Sequence, residues 1–130
     1  MAARLKRRDV VALTGPIGAG KTTFVQGIAR GLKVPPNTVS SPSFVLVKEY
    51  PGKIPLYHAD LFRLEHLPEA VSVGLEEYYE AKGVTVIEWA NRIPGILPAD
   101  FLEVRFDLVD PKTRRITLIP HGPRYEKRKW

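Results

Sequence analysis

The sequence of 130 residues contains no cysteine and only one methionine. Without cysteine, a disulfide scaffold, a thiolate metal site and thiol catalysis are all excluded. Long apolar runs are also missing, because a membrane helix needs about 20 apolar residues and no segment approaches that length. The basic residues near the start are followed by Asp9 instead of a signal-peptide core. We therefore expect a cytoplasmic protein of one domain, with no membrane partner.

Positive charge exceeds negative charge, with 20 lysines and arginines against 14 acidic residues and a formal net charge of +6. Much of the excess lies in two clusters, at residues 4–8 and 124–129. A basic balance suits polyanionic partners such as nucleotides and RNA. Solvated basic ends would have the same composition. Charge alone therefore leaves direct contact with nucleic acid open.

The segment GPIGAGKT matches G-x-x-x-x-G-K-[ST] and predicts a phosphate-binding loop. Glycine lets several backbone N–H groups converge on one anion, and the following helix and its lysine add positive charge. An apolar run (Val10–Leu13) precedes the segment and a helical pattern follows it, whereas an ordinary glycine-rich turn is the alternative. The residues expected to contact the nucleotide are Gly15, Pro16, Ile17, Gly18, Ala19, Gly20, Lys21, Thr22 and Thr23.

The periodicity of the chain predicts an α/β fold. Helical spacing covers 21–32 and 68–81, and extended segments cover 9–14, 44–50, 56–63 and 84–89. Alternation on both sides of a DPKT turn predicts a C-terminal antiparallel β-hairpin. We expect a single P-loop NTPase domain over residues 1–123, with a mixed parallel/antiparallel sheet flanked by helices on both faces. Residues 124–130 are predicted to form a basic tail that is mobile or docks on a surface.

Two acidic residues are candidates for holding Mg²⁺ beside such a loop. Glu88 ends a buried apolar run, which is the usual layout of a Walker-B strand, and Asp60 ends a less regular stretch. Either residue could instead be solvated or cap a helix. His58 could act as a base or contact phosphate, although a structural role is commoner. Trp89 could lie under the nucleotide, although a place in the core is the stronger expectation.

The loop after the first helix carries hydroxyls, at Ser41 and Ser43, that could sense a γ-phosphate. No N-K-x-D or T-K-x-D segment, the usual guanine reader of P-loop proteins, is present. ATP is therefore the expected nucleotide.

Taken together, the segments GPIGAGKTTFVQGIARGL, SPSFVLVKEY, YHADLFRL and VIEWANR resemble the TsaE (YjeE) family of bacterial P-loop ATPases. The order and distances match from about residue 9 to residue 98. The sequence departs from the family pattern at three positions. Pro16 stands where an acid is common, Ser43 where threonine is usual, and Phe62 where tyrosine is usual. Relatives also carry an extra N-terminal strand near the base pocket, so the match identifies no adenine-contacting residue.

The resemblance implies an ATP-hydrolysing subunit needed to form threonylcarbamoyladenosine beside the anticodon of tRNAs that read codons starting with A. It implies TsaD-like and TsaB-like partners, with the transfer chemistry on the former and an indirect role for tRNA. Lys21, Asp60 and Glu88 would be catalytic. Mg²⁺ would be held by Thr22, Glu88 and Asp60. The segment 41–44 would act as a switch, with Ser43 at the nucleotide.

Two other functions use the same residues differently. A small-molecule kinase would employ the same loop but would consume ATP in proportion to an added acceptor. A non-enzymatic RNA-binding module would use the basic ends, and its salt-sensitive binding would not need Lys21.

Overall fold

The computed structural model describes residues 4–16, 20–34, 47–61, 75–90 and 94–130. Within these ranges the chain forms six strands, three α-helices and one short 3₁₀ turn (Pro94–Ile96). No helix in the described ranges is long and apolar enough to cross a bilayer. In chain order the elements are β1 (Val10–Thr14), α1 (Lys21–Gly31), β2 (Val47–Tyr50), β3 (Leu56–Asp60), α2 (Leu75–Glu80), β4 (Val84–Glu88), β5 (Phe101–Asp110), β6 (Thr113–His121) and α3 (Pro123–Glu126).

One mixed sheet runs through the domain in the order β2-β3-β4-β1-β5-β6. The four central strands, from β3 to β5, pair in parallel, and β2 and β6 pair antiparallel at the two edges. Because the central strands are parallel, their carboxyl ends lie together along one border of the sheet, across the strands. We call this border, defined by Thr14, Asp60 and Glu88, the carboxyl edge, and it is distinct from the outer strands β2 and β6. The predicted mixed α/β sheet is confirmed.

Helices cover both faces of the sheet because side chains alternate along each strand. On one face, Val25 and Ile28 of α1 belong to a buried cluster with Leu13. On the other face, Leu75 of α2 belongs to a second buried cluster with Ile87. The apolar residues of α1 recur at helical spacing, so one side of the helix packs on the sheet and the other is left to solvent.

The predicted elements are present where the structure describes them, but several end at other residues. The extended segment predicted at 56–63 ends at Asp60, and the one predicted at 84–89 ends at Glu88. The strand predicted at 9–14 begins one residue later, and the predicted helix 21–32 ends at Gly31. The helix predicted at 68–81 is described only from Leu75, and the strand predicted at 44–50 only from Val47. The hairpin is present as β5 and β6. The parallel pairing of β5 with β1 is an addition that local patterns did not predict.

The last seven residues dock on the domain. Helix α3 spans the predicted boundary between residues 123 and 124, and Tyr125 is fully buried in the same cluster as β1 and α1. Its hydroxyl accepts a hydrogen bond of 2.7 Å from the Val10 amide. Of the two predicted behaviours of this segment, docking is the one observed. This contact also ties the C-terminus to the base of the central strand.

Asp9 holds the two ends of the chain together. Its side chain is fully buried and forms ion pairs with Arg124 and Arg128. The Lys6 amide donates a further hydrogen bond of 2.7 Å to Oδ2. We call these residues the Asp9 cluster. Because it lies at the start of β1, it is at the opposite end of the sheet from the carboxyl edge.

Candidate functional site

The loop that follows β1 begins and ends at glycines with positive φ. Gly15 has a φ of 130° and Gly20 a φ of 94°, values that residues with a Cβ rarely adopt. At Gly15 a Cβ would lie 2.9 Å from Phe106 Cβ and still closer to the Phe106 carbonyl oxygen. The backbone therefore passes against β5 so closely that only glycine fits. Of the residues between these two glycines, 17–19 lie outside the described ranges.

The N-terminus of α1 carries uncompensated positive polarity. Among the described residues, no side chain caps the helix at Gly20, and the first turn contains no acidic residue. The amide groups at such an end point outward without helical partners, and the helix dipole favours an anion there. This end of α1 is therefore suited to an anionic ligand such as phosphate. Thr23 is exposed in the first turn, whereas the side chain of Thr22 is outside the described part of the chain.

Lys21, the first residue of α1, is buried, with 6% of its surface exposed. Its ammonium group donates to the Gly15 carbonyl oxygen at 2.9 Å and lies 3.6 Å from the centre of the Trp89 ring. Burial lowers the pKa of Lys21, and the attraction of Glu88 and Asp60 offsets only part of that effect. A lysine desolvated in this way gains from contact with an anion.

Trp89 is placed under Lys21 by a strained turn. It follows the last residue of β4 and has a φ of 60°, in the left-handed region that disfavours bulky side chains. Such a conformation costs on the order of 1 to 3 kcal/mol and is retained where the surroundings require it. Trp89 also packs partly against the second buried cluster, so the expected core role is present. Its ring therefore serves both the core and the lysine.

Asp60 and Glu88 lie side by side at the carboxyl edge. The two residues are register partners at the ends of β3 and β4, and they are 6% and 4% exposed. Alternation along β4 places Glu88 on the face of Val84 and Val86, which is the face covered by α1. Two buried carboxylates thus accompany one buried lysine, and Coulombic attraction links Lys21 to both.

His58 binds Glu88 directly. Its Nε2 lies 2.6 Å from Glu88 Oε2, and the imidazole is fully buried. When the Glu88 carboxylate accepts this hydrogen bond, the imidazole donates it through Nε2–H. Among the described residues none hydrogen-bonds its Nδ1 atom. The contact fixes the orientation of the Glu88 carboxylate, which is what a supporting residue behind a metal-binding acid does.

The carboxyl edge fits Mg²⁺ only together with a phosphate ligand. The described residues contain no group of three or more His, Cys, Asp or Glu side chains that could hold a metal by themselves. Mg²⁺ prefers oxygen ligands and is commonly held by one or two carboxylates plus substrate phosphates and water. Asp60 and Glu88, which Coulombic attraction links to Lys21 at the N-terminal end of α1, could supply the carboxylates of such a set.

Of the residues predicted from sequence, the structure brings Gly15, Gly20, Lys21, Asp60 and Glu88 to one edge. Pro16 and Thr23 are exposed beside them. The predicted residues outside the description are 17–19, Ser43 and the side chain of Thr22.

Neither the bond between His58 and Glu88 nor the contact of Trp89 with Lys21 was predicted from the sequence. One usable signal was the spacing of His58 and Asp60, since residues two apart share a strand face.

The fold and the carboxyl edge define a P-loop α/β domain. Residues 1–116 match the sequence model of the family described as "Threonylcarbamoyl adenosine biosynthesis protein TsaE". The chain belongs to the TsaE family.

Several relatives match over most of the chain. A Bacillus subtilis protein named tRNA threonylcarbamoyladenosine biosynthesis protein TsaE is 43% identical over 126 residues, covering 96% of this chain and 78% of that protein. A Nostoc protein of the same name is 42% identical over 117 residues, which cover 86% of this chain and 70% of that protein. The crystal structure of Bacillus subtilis YdiB superposes with a TM-score of 0.78 at 39% identity, over 96% of this chain and 76% of that one.

Proposed function

We propose that this protein is a Mg²⁺-dependent ATPase that acts in tRNA threonylcarbamoyladenosine biosynthesis. The observation that carries the proposal is Lys21, a buried lysine at the N-terminus of α1 beside Glu88 and Asp60. Membership of the TsaE family supports the pathway. We further propose that the modified tRNAs are those reading codons that start with A, and that the protein is cytoplasmic.

Phosphate binding is assigned to the loop and to Lys21. The amides at the start of α1 would hold phosphate oxygens, and the ammonium group of Lys21 would exchange its contact with Gly15 for a phosphate. Because Lys21 is desolvated, this exchange places a full charge against the phosphate in a site of low dielectric. The loop therefore stabilises the charge of the triphosphate.

Metal binding is assigned to Glu88, Asp60 and the hydroxyl of Thr22. Bound Mg²⁺ would supply charge neutralisation at the phosphate oxygens during hydrolysis. His58 holds Glu88 in one orientation through the 2.6 Å contact, so this carboxylate needs little rearrangement to act as a ligand or to orient water. Lys21 and the two acids thus have complementary roles on the same substrate.

We propose TsaB-like and TsaD-like proteins as partners, with the transfer chemistry on the TsaD-like subunit and tRNA involved indirectly. The segment around Ser43 would act as the switch that reports the γ-phosphate to the partner surface. Coupling of this kind requires that the partner bind one nucleotide state better than another, and a factor of about five is the lower end of typical coupling. The support for this part of the proposal is membership of the family.

The experiment is phosphate release from Mg-ATP by the wild type, Lys21→Ala and Lys82→Ala, with calorimetric ATP titrations. Lys82 is an exposed lysine two residues before the start of β4, at the end of that strand away from Glu88. Its substitution is therefore a matched control for the loss of one positive charge. We expect Lys21→Ala to lose about a hundredfold or more in turnover, the scale reported for one preorganised charge-stabilising group. Lys82→Ala should behave as wild type.

Equal binding and hydrolysis by both variants would refute the phosphate-site assignment. Hydrolysis is measured without an acceptor, then with the TsaB-like and TsaD-like pair and tRNA. A requirement for a small acceptor would favour the kinase, and tRNA binding that survives Lys21→Ala without any ATP turnover would favour the RNA-binding module.

A further inference from the structure

The two basic clusters of the sequence lie on one surface of the folded domain. The side chain of Arg124 donates to the carbonyl oxygen of Arg7 at 2.9 Å, and that of Arg128 donates to the carbonyl oxygen of Arg4 at 3.1 Å. These contacts join residues that are 117 and 124 positions apart along the chain. Because both clusters flank the start of β1, the surface they form lies at the opposite end of the sheet from the carboxyl edge.

Two lysines from other segments extend this surface. The guanidinium of Arg7 donates to the carbonyl oxygen of Lys53 at 3.5 Å, and the Arg8 amide donates to the carbonyl oxygen of Gly83, next to Lys82, at 2.9 Å. Both lysines are exposed. We call the exposed cations of this surface the basic end. They are Arg4, Lys6, Arg7, Arg8, Lys53, Lys82, Arg124, Lys127 and Lys129.

Acidic side chains neutralise only part of the basic end. Asp9 is fully buried, so its charge is spent within the protein on Arg124 and Arg128. Of the other acids that the structure describes, three lie next to this surface, and its cations outnumber them: Glu80, Asp100 and Glu126. A surface with such an excess of one sign attracts polyanions.

The C-terminal part of the basic end is held in place by packing. Tyr125 is fully buried, and its carbonyl oxygen accepts a hydrogen bond of 2.9 Å from the indole N–H of Trp130. The two rings also stack, with centroids 6.1 Å apart. Lys127 and Lys129 are therefore presented by a docked segment, and a ligand that contacts them pays little for ordering the backbone.

The composition of the basic end favours nucleic acid over a membrane or a protein. In the described part of the chain, the exposed large apolar residues are Leu108, Val109 and Ile116, all on the β5–β6 hairpin. Basic segments that lie on a membrane also insert apolar side chains, and protein interfaces have an apolar or aromatic centre. Interfaces with nucleic acid are more polar and far more positively charged.

We infer that the basic end binds the phosphate backbone of tRNA directly. The choice of tRNA rests on the proposed role in tRNA threonylcarbamoyladenosine biosynthesis, the pathway named for the relatives. Lysine and arginine contact phosphates without reading the base sequence, so this surface would position the tRNA while the chemistry stays with the partner. The contact lies at the other end of the sheet from the proposed ATP site, so either assignment can fail without the other.

The test measures the affinity for an unmodified tRNA transcript by fluorescence anisotropy, without nucleotide, at NaCl concentrations from about 50 to 200 mM. The basic-end variant, Arg7→Gln with Lys127→Gln, removes one cation from each cluster. The matched control, Lys112→Gln with Arg115→Gln, removes an exposed lysine and an exposed arginine at the hairpin turn. We expect the basic-end variant to bind about tenfold more weakly and to reduce the slope of log affinity against log salt by about 2. The control should stay within about twofold of wild type.

Equal tRNA affinity of the two double variants would overturn the inference, as would a wild type that binds no tRNA at the lowest salt. Vesicles containing phosphatidylglycerol are the second probe. If the basic-end variant loses vesicle binding but keeps wild-type tRNA binding, the surface belongs to a membrane and the inference is wrong. Phosphate release from Mg-ATP by this variant without tRNA should equal that of wild type. Should the variant melt early, Lys6→Gln with Lys129→Gln provides the same comparison.

Discussion

Buried charge occurs at both ends of the sheet, and the two ends use it differently. In the Asp9 cluster, both carboxylate oxygens accept hydrogen bonds from arginine, and the Lys6 amide adds another. At the carboxyl edge, the ammonium group of Lys21 contacts a carbonyl oxygen and the face of a tryptophan. The first cluster is satisfied within the protein. The carboxyl edge combines the Lys21 ammonium group, two carboxylates and a helix N-terminus, and a bound ligand can provide further partners for these groups.

The pKa values of the two ends express this difference. Burial raises the pKa of Asp9, but hydrogen bonds from Arg128, the Lys6 amide and Arg124 outweigh burial and bring it below its ordinary value of 3.8. Burial lowers the pKa of Lys21, and its acidic neighbours do not restore it. Protein contacts therefore stabilise the charged form of Asp9. Those around Lys21 do not make up for the water that its charged form loses on burial. The comparison suggests that the Asp9 cluster serves stability and the carboxyl edge serves binding.

The largest expected effect is on stability, from Asp9→Asn. The substitution keeps the volume but leaves Arg124 and Arg128 without their carboxylate. Because the Arg128 side chain is 14% exposed and that of Arg124 is 41% exposed, water can solvate part of the charge left behind, and we expect the unsatisfied donors to cost about 1 to 3 kcal/mol. Urea unfolding should show this loss, while ATP turnover per folded molecule at low temperature stays near wild type. A large loss of turnover in the folded protein would contradict the separation of the two ends.

Glu88→Gln should slow hydrolysis and leave the stability of the fold nearly unchanged. The amide is nearly isosteric, so the free energy of unfolding should change little, but the charge that would hold Mg²⁺ is lost. We expect hydrolysis to slow at least tenfold, which corresponds to about 1.4 kcal/mol of transition-state stabilisation. Steady-state phosphate release alongside thermal melting tests both halves. Wild-type hydrolysis by this variant would make Asp60 the essential acid.

A smaller effect is expected from His58, through its hold on Glu88. His58→Phe fills much of the same space without the Nε2 donor, and we expect about a tenfold higher Mg²⁺ requirement, at the lower end of the cost of losing such a support. His58→Gln can still donate to the carboxylate and should recover part of the loss. The measurement is the Mg²⁺ dependence of hydrolysis. If phenylalanine and glutamine behave alike, the hydrogen bond is not what positions Glu88.

The smallest effect is the pH dependence of the Asp9 cluster. Since the folded-state pKa of Asp9 lies below the unfolded value, its contribution to stability is complete above about pH 4 and is lost as the pH falls through the folded pKa. The difference in unfolding free energy between wild type and Asp9→Asn should therefore become smaller on acidification below this range. A difference that stays constant down to about pH 2 would show that charge is not what Asp9 contributes.

Much of the candidate site follows from local sequence. The glycine pattern, the lysine and the apolar run ending at Glu88 are readable because each depends on neighbours a few residues away. The periodicity of α1 and of the hairpin likewise reflects which face of one element is apolar. These features required no knowledge of how the elements pack, and the structure contains each of them where it describes the chain.

Tertiary structure decided the relations between distant segments. Sheet order made Asp60 the neighbour of Glu88 and placed His58 within hydrogen-bond distance of it. Docking of the C-terminal segment joined Asp9 to Arg128, 119 residues along the chain. Local periodicity indicates that a strand has a buried face. It does not indicate which strands pair or in which register, because all the strands compete for the same partners. The sequence by itself indicated the glycine-loop motif, the strand before it and the helix after it. Tertiary packing determined which charged side chains pair with each other and which are left to interact with a ligand.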